Sequence, residues 1–409
     1  MSKVIIVGGG IVGLSVALEL QKRRGDVTVL DPESPRKGAS YGNAGHIAIE
    51  QVEPLASWGL IRSAWRRWFA RGGALSFPAA GVAAWLPFGL RLMAAAAPAR
   101  FAHGKAALSA LMGEAMPAWR RLVQSLGAPD LICEDGHYVV WESEASAKAG
   151  LAAWRETDTG SARFHVLTPD ERAAVSALTP RPLHGGIRFE NTGQVADNAR
   201  LLAQMEAAFL TAGGQVVRQK AVGLSLRDGH AQVESDDGLM RAAESVIICA
   251  GARSKPLMEG IGHAVPLIAE RGYHIQSARH GWPAGMPPVV FEDRSMIVTG
   301  FESGLRAASF VELNRPDAPP EARKWQRLRQ HVSELGLPMD SEVAEWMGIR
   351  PTLPDYLPAI GRSDKAQNLY YAFGHQHLGL TLGPLTGEIV AAMVESGTGP
   401  QAFDIKRFA

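Results

Sequence analysis

The sequence predicts an α/β protein with two domains, a doubly wound, Rossmann-like domain and a second, mixed antiparallel α+β domain. An apolar run, a glycine-rich turn and a helical stretch at the N-terminus indicate the first domain, together with a second apolar run at 245–249. Alternating segments between about 263 and 312 are typical of antiparallel strands and indicate the second domain. A chain of 409 residues is long enough for two hydrophobic cores.

The N-terminal segment has the pattern of a dinucleotide-binding βαβ unit. Its elements, in chain order, are the apolar run 4–7, the glycines Gly8, Gly10 and Gly13, the apolar run 27–30 and the acidic Asp31. Gly8 permits the tight turn, Gly10 lets the backbone approach a pyrophosphate, and Gly13 lets the helix pack closely on the strand. The helix N-terminus favours phosphate, and Asp31 is placed to accept hydrogen bonds from a ribose. This unit alone does not distinguish NAD from FAD.

Composition excludes several classes of function. The net charge is +1, so no global field selects nucleic acid. The chain has only two cysteines, Cys133 and Cys249, so a disulfide framework is not expected and a reducing compartment fits. The apolar strand begins at once, without a preceding secretory signal, which favours the cytoplasm. The histidines and cysteines do not have the spacing of a zinc site, so we expect no metal.

One segment leaves two interpretations open. Residues 74–99 are rich in Ala, Leu, Phe and Trp, but Pro78, Pro87 and Arg91 interrupt them, so a membrane span is not expected. The preceding residues 65–69 are basic and aromatic. The segment is interpreted either as a pair of buried or lid helices, or as a surface patch that holds the protein peripherally on the inner face of the cell membrane.

The nucleotide-binding strands lie far apart in the sequence, which implies a discontinuous first domain. The predicted segments are 1–50, 195–260 and 345–409 for the nucleotide-binding domain, and 51–194 and 261–344 for the second, substrate-binding domain. Among the elements within them, we predict a capped helix start at Thr168, a helix over 197–212, a helix over about 320–335, a Gly/Pro-rich region over 348–362 that precedes a strand at 369–373, and a final helix from near Gly383.

Five motifs, spread over the whole chain, resemble the FAD-dependent D-amino-acid oxidase superfamily, in particular its D-amino-acid dehydrogenase and D-hydroxyproline dehydrogenase branch. They are VIIVGGGIVGLSVALEL with VTVLD, GASYGNAGHI at 38–47, VIICAGARS at 246–254, GIRPTLPDYLPAIGRS at 348–363 and FGHQHLGLTLGPLTGEIV at 373–390. Their joint occurrence in this order makes the resemblance specific. It implies that the dinucleotide is FAD.

The resemblance also implies the residues that hold the cofactor. They are Gly8, Gly10, Ile11, Val12, Gly13 and Asp31 at the adenosine diphosphate half, Ser40, Asn43, Ala44, Gly45 and His46 on the loop under the flavin, Val222 with its neighbour Ala221 near the adenine, Ala250 and Gly251 at the second phosphate-side turn, and Gly374, His377, Gly379, Leu380 and Thr381 around the isoalloxazine ring. Backbone amides at the start of the final helix would favour the negative charge of a reduced flavin.

For the substrate, the matching position implies that Arg350 makes a two-point contact with a carboxylate. The alternative is a structural salt bridge between Arg350 and Asp355. The expected pocket and catalytic residues beside it are His46, Tyr273, His274, His375 and His377. None of them is singled out as a general base. Arg271 is either a second anion contact or a surface charge.

The resemblance implies oxidation of a small D-amino acid to an imine, with D-hydroxyproline or D-proline-like substrates favoured and a quinone-type acceptor for the electrons. Three alternatives stay open at this point. They are an oxygen-using amine oxidase of the sarcosine or glycine oxidase type, an NAD-dependent dehydrogenase, and a non-catalytic FAD-binding subunit. The sequence leaves the oligomeric state open.

Overall fold

The computed structural model describes residues 3–32 and 38–409, so residues 1–2 and 33–37 of the predicted segment 1–50 lie outside the described part. The helices are α1 (Ile11–Arg24), α2 (Trp58–Ser63), α3 (Val82–Ala95), α4 (Pro98–Ser125), α5 (Glu144–Glu156), α6 (Pro169–Ser176), α7 (Asn198–Thr211), α8 (Ser254–Glu259), α9 (Ala322–Leu335) and α10 (Gly379–Ser396). The strands are β1 (Val4–Val7), β2 (Val27–Leu30), β3 (His46–Ile47), β4 (Leu75–Ser76), β5 (Ile132–Cys133), β6 (His137–Trp141), β7 (Phe164–Val166), β8 (Gly185–Phe189), β9 (Gly193–Val195), β10 (Gln215–Val217), β11 (Ala221–Arg227), β12 (His230–Ser235), β13 (Met240–Ala242), β14 (Ser245–Ile248), β15 (Ile268–Ser277), β16 (Val289–Phe291), β17 (Met296–Phe301), β18 (Gly304–Asn314), β19 (Ala344–Thr352), β20 (Ala359–Arg362) and β21 (Leu369–Phe373).

A six-stranded sheet contains the predicted nucleotide-binding unit. Its strand order is β10-β2-β1-β14-β21-β20, and all its pairings are parallel except that of β20 with β21. Every residue of β1 is buried, because α1 and α10 cover one face of the sheet and β12 and α8 pack on the other. Helices α1 and α10 pack against each other on one face. The predicted α/β class and the doubly wound sheet are therefore present.

A second, larger sheet has the order β19-β15-β18-β17-β16-β6-β8-β7, with β4 added beside β18. Most of its pairings are antiparallel, and the exceptions are β6 with β16 and β4 with β18. Helix α9 covers one part of it through Leu328, Val332 and Leu335. This is the mixed antiparallel layer that the alternating segments predicted, while the predicted domain boundaries remain predictions.

Several local predictions are confirmed by hydrogen bonds. The Asp197 carboxylate caps α7 by accepting from the backbone N–H groups of Ala199 and Arg200. Thr168 and Glu171 form the reciprocal capping box at the start of α6.

One local prediction differs from the structure. The final helix begins at Gly379, one turn before the predicted Gly383, because Pro384 is accommodated inside the helix. Both ends of the Gly/Pro-rich region 348–362 belong to strands, namely β19 and β20. Pro351 is tolerated there because β19 is the edge strand of its sheet, where a missing N–H need not break a ladder.

Candidate active site

A cavity of about 1400 Å³ is lined by residues of both large sheets. Its walls include residues at the carboxyl ends of β1, β14 and β21, the loop after residue 38, and residues of β15, β18 and β19. Ligands of open α/β sheets bind outside the carboxyl ends of the strands. Most predicted site residues line this cavity, namely Gly8, Gly10, Ile11, Val12, Asp31, Ser40, Asn43, Ala44, His46, Ala250, Gly251, Tyr273, His274, Arg350, Gly374, His375, His377, Gly379 and Leu380. The structure describes Gly13, Gly45, Val222 and Thr381 as well, but outside the lining.

The three glycines of the N-terminal turn are needed for different structural reasons. Gly8 has φ of +107°, and a Cβ there would lie 2.5 Å from the carbonyl oxygen of Cys249. A Cβ on Gly13 would lie 1.9 Å from the carbonyl oxygen of Gly8. A Cβ on Gly10 would approach only the Ser40 Oγ, at 3.1 Å. Gly8 and Gly13 are therefore required by the backbone packing, whereas Gly10 keeps the turn open towards the cavity.

Two side chains fix the backbone amides of this turn. The Gly9 N–H donates to Asp31 Oδ2 at 2.7 Å, and the Ile11 N–H donates to Ser40 Oγ at 3.0 Å. The first amide that bonds within the helix is that of Leu14, to the Gly10 carbonyl. The earlier amides of α1 have no partner within the helix, so its N-terminus keeps the partial positive charge that favours a pyrophosphate.

The part of the cavity beside the turn between β1 and α1 has a second wall, formed by residues after the end of β14 and at the start of β11. Ala250 and Gly251 follow β14, and Gly251 has φ of +56°. Ala221 lines the cavity, whereas Val222 is 48% exposed. The difference follows from the alternation of side chains along a strand.

At the end of the cavity predicted to hold the isoalloxazine ring, the start of α10 forms part of the wall. Gly374 has φ of +78°, and Gly379 and Leu380 line the cavity at the helix N-terminus. The fully buried Thr381 has a positioning role, since its Oγ1 accepts from the Ala48 N–H at 3.0 Å and its carbonyl accepts from the Trp119 indole at 3.1 Å. It thereby ties the loop that carries His46 to α10.

These features fit FAD. The open turn at Gly10 and the N-terminus of α1 suit the pyrophosphate, and the N-terminus of α10 suits the electron-rich end of a reduced flavin. The buried Nδ1 of His46 and Oε2 of Glu50 have no hydrogen-bond partner among the described residues, and both side chains line the cavity. Polar atoms without partners at such a wall are typical of a site whose ligand supplies the missing bonds.

Arg350 lies on β19 and is held by a buried carboxylate. Its Nη1 donates to Glu270 Oε1 at 3.0 Å and to the Phe310 carbonyl at 3.1 Å. Glu270 is 2% exposed and also accepts from the hydroxyls of Thr352 and Tyr356, at 3.0 and 3.3 Å. Among the described residues, Nε and Nη2 of Arg350 have no hydrogen-bond partner. The guanidinium is therefore fixed at one edge and keeps donors for an anion at the other.

The alternative partner predicted for Arg350 is wrong. Asp355 is paired with Arg407 at 2.6 Å. The buried partner of Arg350 is Glu270, on the neighbouring strand β15. Glu270 is directly opposite Arg350 in the strand register, a relation that only the sheet pairing reveals.

A compact polar cluster in the cavity wall consists of His46 of β3, Glu50 of the following loop and His137 of β6. His46 Nε2 lies 3.0 Å from Glu50 Oε1, and the ring of His46 meets that of His137 edge-on at 4.3 Å. The donor atoms of these three residues lie within 4.8 Å of one another. Although burial opposes ionisation, the charge of His46 and its hydrogen bond lower the pKa of Glu50 to about 2. Burial lowers the pKa of His137 to about 3.

The remaining candidate histidines are neutral at pH 7. Burial lowers the pKa of His375 and of His377 to about 4, and burial followed by the charge of Arg306 lowers that of His274 well below its usual value. His377 Nε2 contacts the amide oxygen of Gln51. His274 Nδ1 lies 3.1 Å from the Gly42 carbonyl, and its ring stacks on Trp346. An acceptor opposite one ring nitrogen fixes the tautomer, so His274 and His377 each keep a second nitrogen that can accept a hydrogen bond.

Two predicted anion or hydroxyl contacts have other partners. The Tyr273 hydroxyl donates to Glu312 Oε2 at 2.6 Å inside the second core. Arg271 is fully buried and pairs with Glu312 at 3.1 Å, so it is neither a surface charge nor a second anion contact in the cavity. Glu270, Gly272, Tyr273 and His274 of β15 all line the cavity, whereas Arg271 does not. The register shift between Arg271 and Tyr273 interrupts the simple alternation of side chains at this point.

Other cavity residues were missed by the sequence analysis. Arg67 lines the cavity, as do Glu50, Gln51, His137, Glu270 and Tyr356. Arg67 belongs to the basic aromatic segment 65–69, and nothing in the sequence distinguishes it from its neighbour Arg66. Only the fold turns one of these two arginines towards the cavity.

Backbone strain is concentrated around the cavity. Six non-glycine residues have positive φ in the described part of the chain, and four of them, Ser295, Phe310, Tyr356 and Gln376, line the cavity. Phe310 has φ of +73° at a register shift between β15 and β18, and this turns its carbonyl to Arg350. Such conformations cost energy and persist where the surrounding structure enforces them, which is typical of functional sites.

Comparison with known proteins identifies the family. Residues 3–393 match the family model described as "DAO: FAD dependent oxidoreductase". The chain belongs to this family. It is an FAD-dependent amino-acid oxidoreductase, and its cofactor is FAD.

Individual proteins extend the comparison over the whole chain. A D-amino-acid oxidase of Bradyrhizobium diazoefficiens is 32% identical, over 97% of this chain and 96% of its own length. A D-amino acid dehydrogenase of Helicobacter pylori is 23% identical, over 100% of this chain and 98% of its own. The fold is also that of L-proline dehydrogenase from P. horikoshii, with a TM-score of 0.73 at 16% identity, over 100% of this chain and 97% of that one.

Proposed function

We propose that this protein oxidises the Cα–N bond of a small D-amino acid, with D-hydroxyproline or a D-proline-like compound favoured, and passes the electrons to a quinone-type acceptor. The observation that carries the proposal is the guanidinium of Arg350, fixed by Glu270 with its second edge unpaired in the FAD cavity. The named relatives, a D-amino-acid oxidase and a D-amino acid dehydrogenase, support the D-amino acid. The motifs at 38–47 and 373–382 favour the proline-type branch.

FAD held by the cavity residues would supply the two-electron acceptor for the hydride that leaves the substrate Cα. The amine nitrogen loses a proton in the same conversion, so the product is an imine. A linear imine hydrolyses to a 2-oxo acid, whereas a proline-type substrate gives a cyclic imine. A quinone that takes up the two electrons and two protons becomes a quinol, which completes the balance.

The protein's part begins with the substrate carboxylate. The unpaired Nε and Nη2 of Arg350 form a fork that matches the two oxygens of a carboxylate. Glu270 and the Phe310 carbonyl hold the opposite Nη1, so little side-chain entropy is lost when the substrate binds. A carboxylate fixed at two points positions Cα and leaves only rotation about its bond to the carboxylate carbon, so a further contact at the amine selects the face from which the hydride leaves.

The polar groups near Arg350 suit the amine and a ring hydroxyl. His377 lies close enough to interact with the charges of Glu270, Arg350, Glu50 and His46. In its neutral form it accepts a hydrogen bond from the substrate nitrogen or hydroxyl through the ring atom that does not face Gln51. Its low pKa makes it a weak base, so we propose that it orients the substrate while the amine proton leaves to solvent.

One observation favours a second function. The relative with 32% identity carries the name of an oxidase, so an oxygen-using enzyme with the same site is the alternative. The two functions share every step at the substrate and differ in what removes the electrons. They are therefore separated by the re-oxidation step alone.

An anaerobic panel of D- and L-amino acids tests the substrate. We expect D-hydroxyproline and D-proline to bleach the visible flavin band, and their L-enantiomers to leave it unchanged. If no D-amino acid bleaches the flavin, the proposal fails. The reduced enzyme is then mixed either with oxygen or with a short-chain quinone. Rapid re-oxidation by the quinone with little peroxide supports the dehydrogenase, and stoichiometric peroxide supports the oxidase.

A further inference from the structure

Apolar side chains on the protein surface are concentrated in one segment. Of the fourteen exposed large apolar side chains in the described part of the chain, eight lie between Leu55 and Met93. They are Leu55, Trp58, Trp65, Trp68, Val82, Leu86, Leu90 and Met93, and we call them, with Arg62, Arg66, Arg71 and Arg91, the apolar–basic face. Single exposed apolar residues are ordinary, but a concentration of this kind marks an interaction site.

Helix α3 shows that this exposure is organised. Its exposed Val82, Leu86, Leu90 and Met93 are spaced by four, four and three residues, which places them on one side of the helix. Its other side packs on the protein through the buried Phe88. A surface helix of a soluble domain usually presents polar groups to water. Here the outer side is apolar, and Arg91 is the one charged residue of the helix.

The chain segment that carries this face has charges of a single sign. The sequence contains no acidic residue between Glu53 and Glu114, whereas it contains six arginines between residues 54 and 100. The exposed Trp65 carries the guanidinium groups of Arg66 and Arg71 over its ring, at 5.3 and 5.2 Å. Tryptophan beside arginine is the combination that the headgroup region of a bilayer accommodates, and the excess of arginine selects anionic lipid.

The cavity opens on the same face. Leu55, Leu86, Leu90 and Met93 line the cavity and are also exposed to solvent, so its mouth lies among them. Asp317 lines the cavity too, but its charge is paired with Arg315 at 3.7 Å. A molecule that enters through this mouth therefore crosses apolar side chains.

The face suits a position on a membrane rather than across it. The pair of segments Ala79–Ala95 and Pro98–Ser125 is long and apolar enough for a span only if it is continuous, and it is bent by 88°. Helix α4 buries Leu108, Met112 and Trp119 in the core. The other apolar candidate, Gln376–Ser396, has 72% of its window buried inside the protein and is a core helix.

We propose that the apolar–basic face docks this protein on an anionic lipid bilayer, with the mouth of the FAD cavity directed at the lipid. A lipid-soluble quinone then enters the cavity from the membrane, and its quinol returns there after it has taken up two electrons and two protons. The docking proposal depends only on the residues of the apolar–basic face. The quinone route rests in addition on the acceptor given under the proposed function.

The test is flotation of the holoenzyme with phosphatidylcholine vesicles, with and without phosphatidylglycerol. We expect binding to the anionic vesicles that weakens as salt is added. The double variant W65S/R66E removes an exposed ring and reverses one charge, and neither residue lines the cavity. We expect it to lose at least about tenfold in vesicle affinity, since each basic residue near an anionic surface contributes about fivefold and the variant reverses one charge as well as removing a ring.

The matched control is L226S/R227E, which makes the same kind of change at an exposed apolar residue and an exposed arginine on β11. We expect it to bind vesicles as the wild type does. Equal binding by W65S/R66E, or no binding of the wild type to anionic vesicles, overturns the docking. A wild-type dimer that W65S/R66E converts to a monomer, measured by light scattering without vesicles, also overturns it, because a second copy then covers the face.

Flavin bleaching by D-amino acids is measured without vesicles and depends on the proposed function alone. For the quinone route, a long-chain quinone inside anionic vesicles should re-oxidise the wild type faster than W65S/R66E. A short-chain, water-soluble quinone should re-oxidise both equally. Equal rates with both quinones overturn the route even where vesicle binding is normal.

Discussion

At the scale of single residues, the site depends on an arginine that is already bonded before a substrate arrives. Glu270 holds one edge of Arg350 at 3.0 Å, and is itself held by the hydroxyls of Thr352 and Tyr356. A buried carboxylate is costly unless it is paired and hydrogen-bonded, and Arg350 supplies the pairing charge. Arg350 therefore has a structural and a binding role, and a useful variant must separate them.

Arg350→Lys keeps the charge beside Glu270 and removes the planar fork. We expect KM for the amino acid to rise by about 10- to 100-fold, as for the loss of one hydrogen bond to a charged group. Flavin content should stay unchanged. Steady-state kinetics with the amino acid and with the corresponding amine, which lacks the carboxylate, separate the two roles.

The amine should be affected little, because it never used the fork. If both substrates lose activity to the same degree, Arg350 serves the structure of the cavity rather than the carboxylate. Arg362→Lys is the matched control, since Arg362 is exposed and bonds the Gln367 carbonyl away from the cavity.

At the scale of elements, the turn between β1 and α1 combines a packing requirement with a binding requirement. A Cβ on Gly13 would collide with the carbonyl of Gly8, whereas a Cβ on Gly10 would approach only the Ser40 hydroxyl. The glycine spacing predicts both roles together. The distances show which glycine the fold itself requires.

Gly10→Ala and Gly13→Ala should therefore fail in different ways. We expect Gly10→Ala to fold with reduced FAD content, because its φ of −74° suits alanine and the new methyl group faces the cavity. We expect Gly13→Ala to give little folded protein, because its Cβ would lie 1.9 Å from a backbone oxygen. The measurements are the flavin-to-protein absorbance ratio and the yield of soluble protein.

Gly113→Ala is the control for a harmless methyl group. Gly113 is exposed within α4, and a Cβ there meets nothing within 4 Å. Alanine should raise the free energy of unfolding by about 0.5–1 kcal/mol, the ordinary helix preference. A Gly10→Ala variant with normal FAD content would remove the phosphate role from this turn.

At the scale of the whole molecule, a buried ionic cluster joins α9 to the large sheet. Glu312 of β18 pairs with Arg271 of β15 and with Lys324 of α9, at 3.1 and 2.9 Å. All three are almost fully buried. Burial opposes the ionised form, but hydrogen bonds from Tyr273 and Lys324 outweigh it, so the pKa of Glu312 is lowered.

Glu312→Gln should leave two buried cations without their common partner. We expect the free energy of unfolding to fall by about 3–5 kcal/mol, the usual cost of breaking a buried ion pair. Denaturant unfolding measures it. The exposed pair of Arg23 and Glu395 supplies the comparison, and Glu395→Gln should change stability by less than about 1 kcal/mol.

Acid should destabilise the protein through histidines that are buried in the neutral form. Burial lowers the pKa of His375 to about 4, and burial with the charges of Arg294 and Arg327 lowers that of His331 to about 4. An unfolded histidine titrates near 6.5, so between pH 6.5 and 4 the unfolded state binds more protons. Stability is therefore fully present above pH 6.5 and declines as the pH falls towards 4.

Thermal unfolding of the holoenzyme between pH 7.5 and 4 checks this. We expect Tm to fall over the interval, and His331→Gln to make the fall shallower because one proton-binding group is removed. His331 lies on α9, outside the cavity lining, so flavin loss does not complicate the comparison. The same slope in both proteins would mean that His331 does not titrate on unfolding.

The sequence by itself determined the local units of this protein and its family. The βαβ unit, the capped helix start at Thr168, the helix over 197–212 and the strand at 369–373 follow from patterns within a few residues, and such patterns are set by backbone sterics and side-chain periodicity. The motifs in their order gave the FAD-dependent family. Because these patterns are local in the sequence, they can be interpreted without knowing which remote segments pack against them.

Only the tertiary structure decided which distant groups meet. It paired Arg350 with Glu270 rather than with Asp355, bonded both Arg271 and the Tyr273 hydroxyl to the buried Glu312, and brought Arg67 to the cavity. The tertiary structure also decided that one side of α3 packs on the protein through Phe88, which leaves its other, apolar side exposed. Periodicity shows that a strand or helix has two faces, but strand pairing and packing between remote segments determine what each face touches.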